Sequence, residues 1–378
     1  MVDNEKYGYI DHDGKVVIKP QFVWGSKFKD GWANVYLCGR VVSIDAKGNI
    51  FPHSPADENK LRSKKVNGKY GFVDSSGIMI IPPVYDQVLW FTEGLAPVRI
   101  GMKWGFIDEK GVTVIPFKFT SARVFHDGVV IVWVGGTLQI NTPGINEISG
   151  GSEGIIDKKG KVLAKGFITI NESSQGRMLV GKDDLFGYMD TLGNINVAIT
   201  YEFAKQFSEG LAAVKKDGKW GYIDQSGEVI IPFIYEDTVN LSEGLAAVKK
   251  QGKWGYIDKS GAVVIPFQFD SADNFSSGIT VVEINNEFGA IDRTGKLLFN
   301  NPEIEIYDHF RNAKDIITFW TREGESFGYI NSSGKIVWGP VQWYPDPKPF
   351  TWSECQQIES CAGVPEGIKQ MIASFPPE

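Results

Sequence analysis

The sequence predicts an all-β protein, built as a tandem array of about ten similar units of about 34 residues, each a three-stranded β-meander. Two observations lead to this prediction. The segment DGKWGYIDQSGEVIIPF begins at Asp217, and nearly the same segment, QGKWGYIDKSGAVVIPF, begins again at Gln251. The chain also combines 43 glycines with many Val, Ile, Phe, Tyr and Trp residues, which is typical of short strands joined by tight turns.

The first two strands of a unit follow from a turn signature. In most units a glycine follows an aromatic residue, and in every unit an Asp or Asn lies three residues after that position and a second glycine three residues later. Asp-x-x-Gly is typical of a type I turn, because the first side chain bonds to the turn backbone and the last glycine tolerates a positive φ. We therefore predict the hairpin KWGYID, turn, EVIIPF, and interpret the turn aspartates as structural rather than as calcium ligands.

The first glycine of this signature marks each unit. The marker glycines are Gly8, Gly71, Gly105, Gly154, Gly187, Gly221, Gly255, Gly289 and Gly328, and one degenerate unit has Val42 instead. Twenty residues further on comes an aromatic residue or Leu, followed by a third predicted strand such as GLAAVKK. A unit this small cannot bury enough apolar surface alone, so successive units must stack. Trp104, Trp220 and Trp254, which precede marker glycines, are accordingly predicted to lie in the core between units.

The spacing of the marker glycines predicts the domain organisation. Residues 1–134 form units one to four, residues 135–152 an inserted loop, residues 153–350 units five to ten, and residues 351–378 a C-terminal cap or tail. The tail becomes helix-like from Pro365 and is expected to cover the last unit or to bind a partner. Ten three-stranded units favour an open superhelical, solenoid-like array. A closed β-propeller, with about four to eight four-stranded blades, is the alternative.

Composition disfavours several classes of function. The formal net charge of −7 argues against a protein built mainly to coat nucleic acid. Three cysteines in 378 residues do not form a disulfide framework. The N-terminal segment MVDNEKYGYIDHDG lacks the features of a signal peptide, and no apolar run reaches the roughly 18 residues of a membrane span. We therefore expect a soluble, cytoplasmic protein that binds no membrane.

No sequence motif points to catalysis. The four histidines do not have metal-ligand spacing, and neither a nucleophile elbow nor a phosphate-binding loop is present. We therefore predict no catalytic residue, no metal site and no cofactor. An enzyme would be indicated by polar residues clustered around Tyr307, Asp308, His309 and Arg311, although the repeat places a strand end there.

Comparison of the units separates core tryptophans from exposed ones. Trp32, Trp338 and Trp352 replace Leu or Ile of other units and are predicted to be core residues. The tryptophans that replace polar residues are expected to be exposed; they are Trp24, Trp90, Trp133 and Trp343. Exposed tryptophans are typical of anchors in protein interfaces or of stacking faces for sugar rings, unless nearby insertions fold over them. Since the first three belong to the first four units, we predict an N-terminal partner-binding surface.

A second candidate surface is basic. Two neighbouring units repeat the pattern KKxGK, and this basic ladder consists of Lys215, Lys216, Lys219, Lys249, Lys250 and Lys253. The ladder could bind an acidic protein, an anionic glycan or phosphates. The alternative interpretation is a solvated edge that blocks aggregation of exposed strands. Steep weakening of binding with salt would favour the first interpretation.

The pattern GKWGYIDxSGxxxIP, followed by FSEGLAAVKK, resembles the bacterial WG-repeat family, also called KWG repeats, from about residue 6 to about residue 350. The match is most specific at residues 219–224 and 253–258. The resemblance implies a binding or scaffold module without shared catalytic residues. We therefore expect a non-enzymatic scaffold that binds another protein, with a carbohydrate or cell-envelope binding module as the alternative.

Overall fold

The computed structural model describes residues 2–3, 6–11, 15–22, 24–37, 40–51, 60–142, 145–276, 278–300, 304–305, 316–321, 326–331 and 335–342. All regular secondary structure in these ranges is β, which confirms the all-β prediction. The predicted C-terminal helix, Trp343, Trp352 and the polar stretch around His309 lie outside the described residues.

The strands follow one another along the chain as small antiparallel sheets. The sheets of the first part of the chain consist of β1 Val2–Asp3, β2 Lys6–Ile10 and β3 Val16–Phe22; β4 Trp24–Gly25, β5 Trp32–Leu37, β6 Arg40–Asp45 and β7 Ile50–Phe51; β8 Arg62–Val66, β9 Lys69–Val73 and β10 Met79–Tyr85; β11 Gln87–Val88, β12 Leu95–Ile100, β13 Lys103–Asp108 and β14 Thr113–Phe119; and β15 Ser121–Ala122, β16 Val129–Val134, β19 Ser152–Asp157 and β20 Val162–Phe167. Strands β17 Thr137–Thr142 and β18 Ile145–Ser149 form a separate hairpin.

The later sheets repeat the same order. They consist of β21 Thr169–Ile170, β22 Met178–Lys182, β23 Leu185–Met189 and β24 Ile195–Tyr201; β25 Phe203–Ala204, β26 Leu211–Lys216, β27 Lys219–Asp224 and β28 Val229–Tyr235; β29 Asp237–Thr238, β30 Leu245–Lys250, β31 Lys253–Asp258 and β32 Val263–Phe269; β33 Ser271–Ala272, β34 Ile279–Ile284, β35 Glu287–Asp292 and β36 Leu297–Asn300; and β37 Ile304–Glu305, β38 Ile316–Thr321, β39 Ser326–Asn331 and β40 Ile336–Gln342. By their contacts, residues 59–267 form one compact unit, and residues 1–58 with 268–378 form another.

Most sheets have four strands, which corrects the predicted three-stranded meander. The additional strand has two residues; in one sheet it is β25, where Phe203 and Ala204 pair with Lys215 and Val214. A strand of two residues is too short to show an alternating pattern, so the sequence does not reveal it. The open array is favoured by the number of units and by three strands in each unit, and the four-stranded sheets remove the second of these reasons. The open array and the closed propeller both stay predictions.

Successive sheets pack face to face through the predicted aromatic positions. The ring of Phe207, which lies between β25 and β26, contacts the ring of Tyr188 in the preceding sheet edge-on, at a centroid distance of 4.7 Å. The pairs Phe72–Phe91 and Phe106–Phe125 repeat this contact at 4.9 and 5.2 Å. Phe207 is 2% exposed. These contacts confirm the predicted stacking of neighbouring units, because the aromatic positions of one sheet complete the core of the next.

The marker glycine is required by a close approach of the fourth strand. Between Trp220 and Tyr222 the register of β27 against β28 shifts, so that β28 bulges across Gly221. A Cβ atom on Gly221 would lie 2.6 Å from the carbonyl oxygen of Ile231 and 2.8 Å from Cδ1 of Phe233. Only a residue without a side chain fits there. The glycine that follows Trp is therefore required by the packing of two strands and not by a turn.

The predicted Asp-x-x-Gly turns are confirmed. The carboxylate of Asp224 accepts hydrogen bonds from the backbone amides of Ser226 and Glu228 at 2.8 and 2.9 Å, and the amide of Gly227 donates to the Asp224 carbonyl oxygen at 3.0 Å. Gly227 has a φ of 89°. The side chain therefore stabilises the turn backbone, and this function explains the recurrence of the aspartate.

The turns predict a pH dependence of stability. Three turn aspartates have a pKa below the ordinary value of 3.8, because a hydroxyl group and backbone amides donate hydrogen bonds to their carboxylates. The aspartates and their hydroxyl donors are Asp224 with Ser226, Asp258 with Ser260, and Asp292 with Thr294. Because the folded pKa is depressed, this stabilisation is complete above the unfolded pKa of about 3.9 and is lost as the pH falls through the folded pKa. We expect the free energy of unfolding, measured in urea, to fall less steeply below pH 4 in a variant with all three aspartates changed to Asn. An unchanged slope would contradict this prediction.

Candidate binding surfaces

Each four-stranded sheet has two ends, and the candidate residues divide between them. The hairpin end is where the second strand turns into the third, as at Gly218 between β26 and β27. The loop end carries the segment between the first and second strands, such as residues 205–210. Side chains link the loop ends of successive sheets. The amide of Gly210 donates to Oε1 of Gln175 at 2.8 Å, and that of Gly128 donates to Oε2 of Glu93 at 3.2 Å.

Two predicted tryptophans are exposed. Trp90 lies in the loop end between β11 and β12 and is 63% exposed. Trp24 lies in β4, opposite Tyr36 near the hairpin end of its sheet, and is 47% exposed. Both side chains are therefore open to a partner, as the comparison of units predicts.

Trp133 is different, and its predicted exposure is wrong. It is half-buried in β16, and its indole Nε1 donates a hydrogen bond to the carbonyl oxygen of Gly150 at 2.9 Å. Gly150 lies at the base of the insertion, which is a β-hairpin rather than the predicted loop. The base of the insertion therefore contacts the Trp133 indole and covers part of it, in line with the alternative considered for the exposed tryptophans.

Trp90 and Trp133 do not form one surface, although both belong to the compact unit of residues 59–267. Trp90 lies at the loop end of its sheet, but Trp133 lies opposite Ser121 at the hairpin end of the next sheet. The prediction of a single N-terminal aromatic surface is therefore corrected, because the strand length separates Trp90 from Trp133. Trp343 lies outside the described residues.

The predicted core tryptophans are buried to different degrees. Trp104 is 9% exposed, but Trp220 and Trp254 are only half-buried. Both lie near the hairpin end, opposite Lys215 and Lys249. Trp32 packs edge-on against Phe51 at a centroid distance of 4.9 Å. Trp220 therefore contributes to the core and also keeps part of its ring at the surface.

The basic ladder lies at the hairpin ends of two successive sheets. Lys216 lies directly opposite Lys219, and Lys250 lies directly opposite Lys253. The carboxylate of Glu236 accepts hydrogen bonds from the amides of Gln251 and Gly252 at 3.0 Å. These amides, and then the nearby Lys219 and Lys249, lower the pKa of Glu236. The ladder is therefore partly offset by acidic side chains at the same end of the sheets.

A row of aromatic rings adjoins the ladder and was missed by the sequence analysis. The ring of Phe203 stacks on Phe186 at a centroid distance of 6.3 Å and lies 6.4 Å from the ring of Trp220. Phe203 is 54% exposed. The ammonium group of Lys215 lies over the Phe203 ring at 5.5 Å, and that of Lys205 lies over Trp220 at 5.4 Å. The sequence does contain a sign of this exposed ring, because Phe203 occupies the repeat position that Trp24 occupies in its own unit.

Lys205 is held in position by the next sheet. Its Nζ donates a hydrogen bond to the carbonyl oxygen of Thr238 at 2.6 Å. Burial lowers the pKa of Lys205, although the charge of Asp237 partly opposes this shift. Lys205, which belongs to the segment between β25 and β26, therefore holds its ammonium group over one face of the Trp220 ring.

Within the described ranges, no group of three or more His, Cys, Asp or Glu residues could hold a metal ion. In the same ranges, no helix is long and apolar enough to cross a membrane.

Comparison with protein families identifies one match. A family model described as "WG containing repeat" matches residues 7–37, 70–104, 104–137, 186–220, 220–254 and 254–287, which together exceed half of the chain. A comparison with curated proteins finds no match.

Several solved structures are similar at low identity. A crystal structure of "the eukaryotic initiation factor" has 12% identity and a TM-score of 0.44 over 74% of this chain and 87% of that chain. Hsv2 from Kluyvelomyces marxianus has 12% identity and a TM-score of 0.34 over 63% and 89%. BamB from Moraxella catarrhalis has 9% identity and a TM-score of 0.33 over 80% and 95%.

Proposed function

The chain belongs to the WG-repeat family, a family of β-repeat domains, and from this membership we propose that it is a non-enzymatic scaffold that binds another protein as part of a larger assembly. Repeat proteins suit this function because stacked units present extended surfaces on rigid elements. The proposal includes a cytoplasmic location and no catalytic activity, since the sequence has no catalytic motif.

The exposure of Trp90 is the observation that supports the proposal most directly. In the corresponding position of another unit, the exposed residue is Gln206, whose side chain donates to the carbonyl oxygen of Glu172. The fold therefore accepts a polar residue there and does not need the indole for its core. A large exposed aromatic side chain gains free energy when a partner covers it, and tryptophan is enriched among the residues that dominate binding energy.

The test is affinity capture from a bacterial lysate with the full chain and the variants Trp90→Gln and Trp24→Ser. These substitutions introduce residues that other units carry at the same positions, so the fold should be retained. We expect at least one captured protein to be lost, or reduced about tenfold, with one variant, because truncating an anchor costs about 2 kcal/mol or more.

Thermal unfolding of each variant is the control. Unchanged capture by both variants, with unchanged melting temperatures, would contradict the assignment of these tryptophans. Binding of soluble cell-envelope glycans that depends on Trp90 or Trp24, without any captured protein, would support the carbohydrate-binding alternative. A variant that melts much earlier would show that the indole stabilises the fold.

A further inference from the structure

In the two sheets that carry the basic ladder, the last residue pair of the central hairpin consists of two lysines. The other described sheets have no like-charged pair at this position. The last pair of the hairpin is Lys216–Lys219 in one sheet and Lys250–Lys253 in the next. In other sheets the corresponding pairs are Ile100–Lys103, Lys182–Leu185 and Ile284–Glu287. Like charges directly opposite each other on neighbouring strands are destabilising. A bound anion beside Lys216 and Lys219 would relieve this repulsion.

Lysines also outnumber carboxylates at this end of the two sheets. The lysines are the six residues of the ladder, and the carboxylates are Glu202, Asp217, Glu236, Asp237 and Asp270. Three of these carboxylates already accept hydrogen bonds from hairpin turns: Glu202 from the amide of Gly218 at 3.2 Å, Glu236 from Gln251 and Gly252, and Asp270 from the amide of Asn285 at 2.7 Å. This local excess of positive charge is opposite in sign to the net charge of the whole chain, which is −7.

The aromatic row gives this surface a second kind of contact. Phe203 is exposed between Phe186 and Trp220, directly beside the ladder, and Lys215 lies over its ring. Leu185, in the strand that carries Phe186, is exposed as well. Units with Ser121 or Ser271 in place of Phe203 form the same first strand, so strand formation does not require the phenyl ring. The surface therefore combines ammonium groups with an exposed apolar ring.

We propose that the surface formed by the basic ladder and the aromatic row binds an acidic segment of a partner protein, one that carries an aromatic or other large apolar side chain beside its carboxylates. The carboxylates lie against the ladder, and the apolar side chain packs on Phe203. This inference rests on the proposed scaffold function and names the chemistry of one partner. A polypeptide fits better than nucleic acid, because the positive area covers only two sheets and adjoins an apolar ring, whereas a nucleic acid requires an extended series of phosphate contacts.

The test uses fluorescence anisotropy with the full chain and a labelled peptide of twelve residues, composed of Asp and Glu with one central Trp. A second peptide has Ser in place of Trp. We expect the Trp peptide to bind more tightly than the Ser peptide, and the affinity for both to fall as salt is raised. In the variant Lys216→Gln/Lys219→Gln, we expect binding of both peptides to weaken about tenfold at low salt and to depend less on salt.

Phe203→Ser separates the apolar contact from the charges. This variant should lose the preference for the Trp peptide and keep the salt dependence. Lys110→Gln/Lys159→Gln is the matched control, because it removes two exposed lysines from the turns at the opposite, loop end of the sheets. We expect the control variant to bind both peptides like the unchanged protein.

Several outcomes would overturn the inference: no binding of the Trp peptide to the unchanged protein at low salt, equal weakening by the control variant, or tighter binding of a single-stranded oligodeoxynucleotide that depends on the ladder. Competition by millimolar inorganic phosphate alone would indicate a simple anion site and would also overturn it. If partner capture through Trp90 persists when the peptide does not bind, the inference fails and the scaffold function stands.

Discussion

Replacing Gly221 with Ala is expected to lower the free energy of unfolding by about 3 kcal/mol, the upper part of the range for inserting atoms into a packed core. The new Cβ atom would lie 2.6 Å from the Ile231 carbonyl oxygen, and this atom belongs to the backbone of the fourth strand. A backbone atom cannot rotate away as a side chain does, so β28 would have to move from β27. Gly255→Ala should behave in the same way, since its Cβ would lie 2.7 Å from the Ile265 carbonyl oxygen.

The matched control for this substitution is Gly218→Asn. Gly218 also lies in the sheet formed by β25 to β28. A Cβ atom added there would have no other atom within 4 Å except those of its two chain neighbours. Its φ of 74° is one that Asn tolerates. The urea midpoint of both variants gives the comparison. Equal midpoints for Gly221→Ala and the unchanged protein would show that β28 does not need the close approach.

Replacing Phe207 with Ala is expected to lower the free energy of unfolding by about 3 to 5 kcal/mol. The side chain is 2% exposed and contacts the ring of Tyr188 in the preceding sheet, so its loss leaves a cavity between two sheets. Phe207→Leu should cost less than about 1.5 kcal/mol, because Leu241 fills the corresponding position of the next unit and is itself buried.

Thermal and urea unfolding measure the stability of these two Phe207 variants. The informative result is how the loss of unfolding free energy in Phe207→Ala compares with the loss in Phe207→Leu. Both substitutions remove the same aromatic contact, but only Ala leaves a large void. If Phe207→Leu were as destabilising as Phe207→Ala, the contact of the two rings would matter more than the filled volume. If neither variant were destabilised, the packing of successive sheets would not depend on this position.

Comparison of units predicted the candidate surfaces only in part. It correctly identified Trp24 and Trp90 as exposed, because a position that is polar in several units is accessible in each of them. It overstated the exposure of Trp133, because the insertion is present in one unit alone and Gly150 at its base accepts a hydrogen bond from the indole there. The same reasoning applies to Phe203, which occupies the position of Trp24 in its unit and is exposed as well.

The sequence by itself determined what depends on neighbours within one unit. The period, the Asp-x-x-Gly turns and the aromatic position filled by Phe207 all follow from short-range backbone preferences and from the need of each small sheet to bury one face. The match to the WG-repeat family depends on the same short pattern.

Only the tertiary structure decided what depends on how strands and sheets meet. The two-residue first strand, the close approach over Gly221 and the separation of Trp90 from Trp133 arise from pairing between residues that are distant in a unit or belong to different units. The aromatic row beside the basic ladder has the same origin, since Phe186, Phe203 and Trp220 come from different strands of two successive sheets. No local pattern contains these contacts, because their geometry is set by the packing of one sheet on the next.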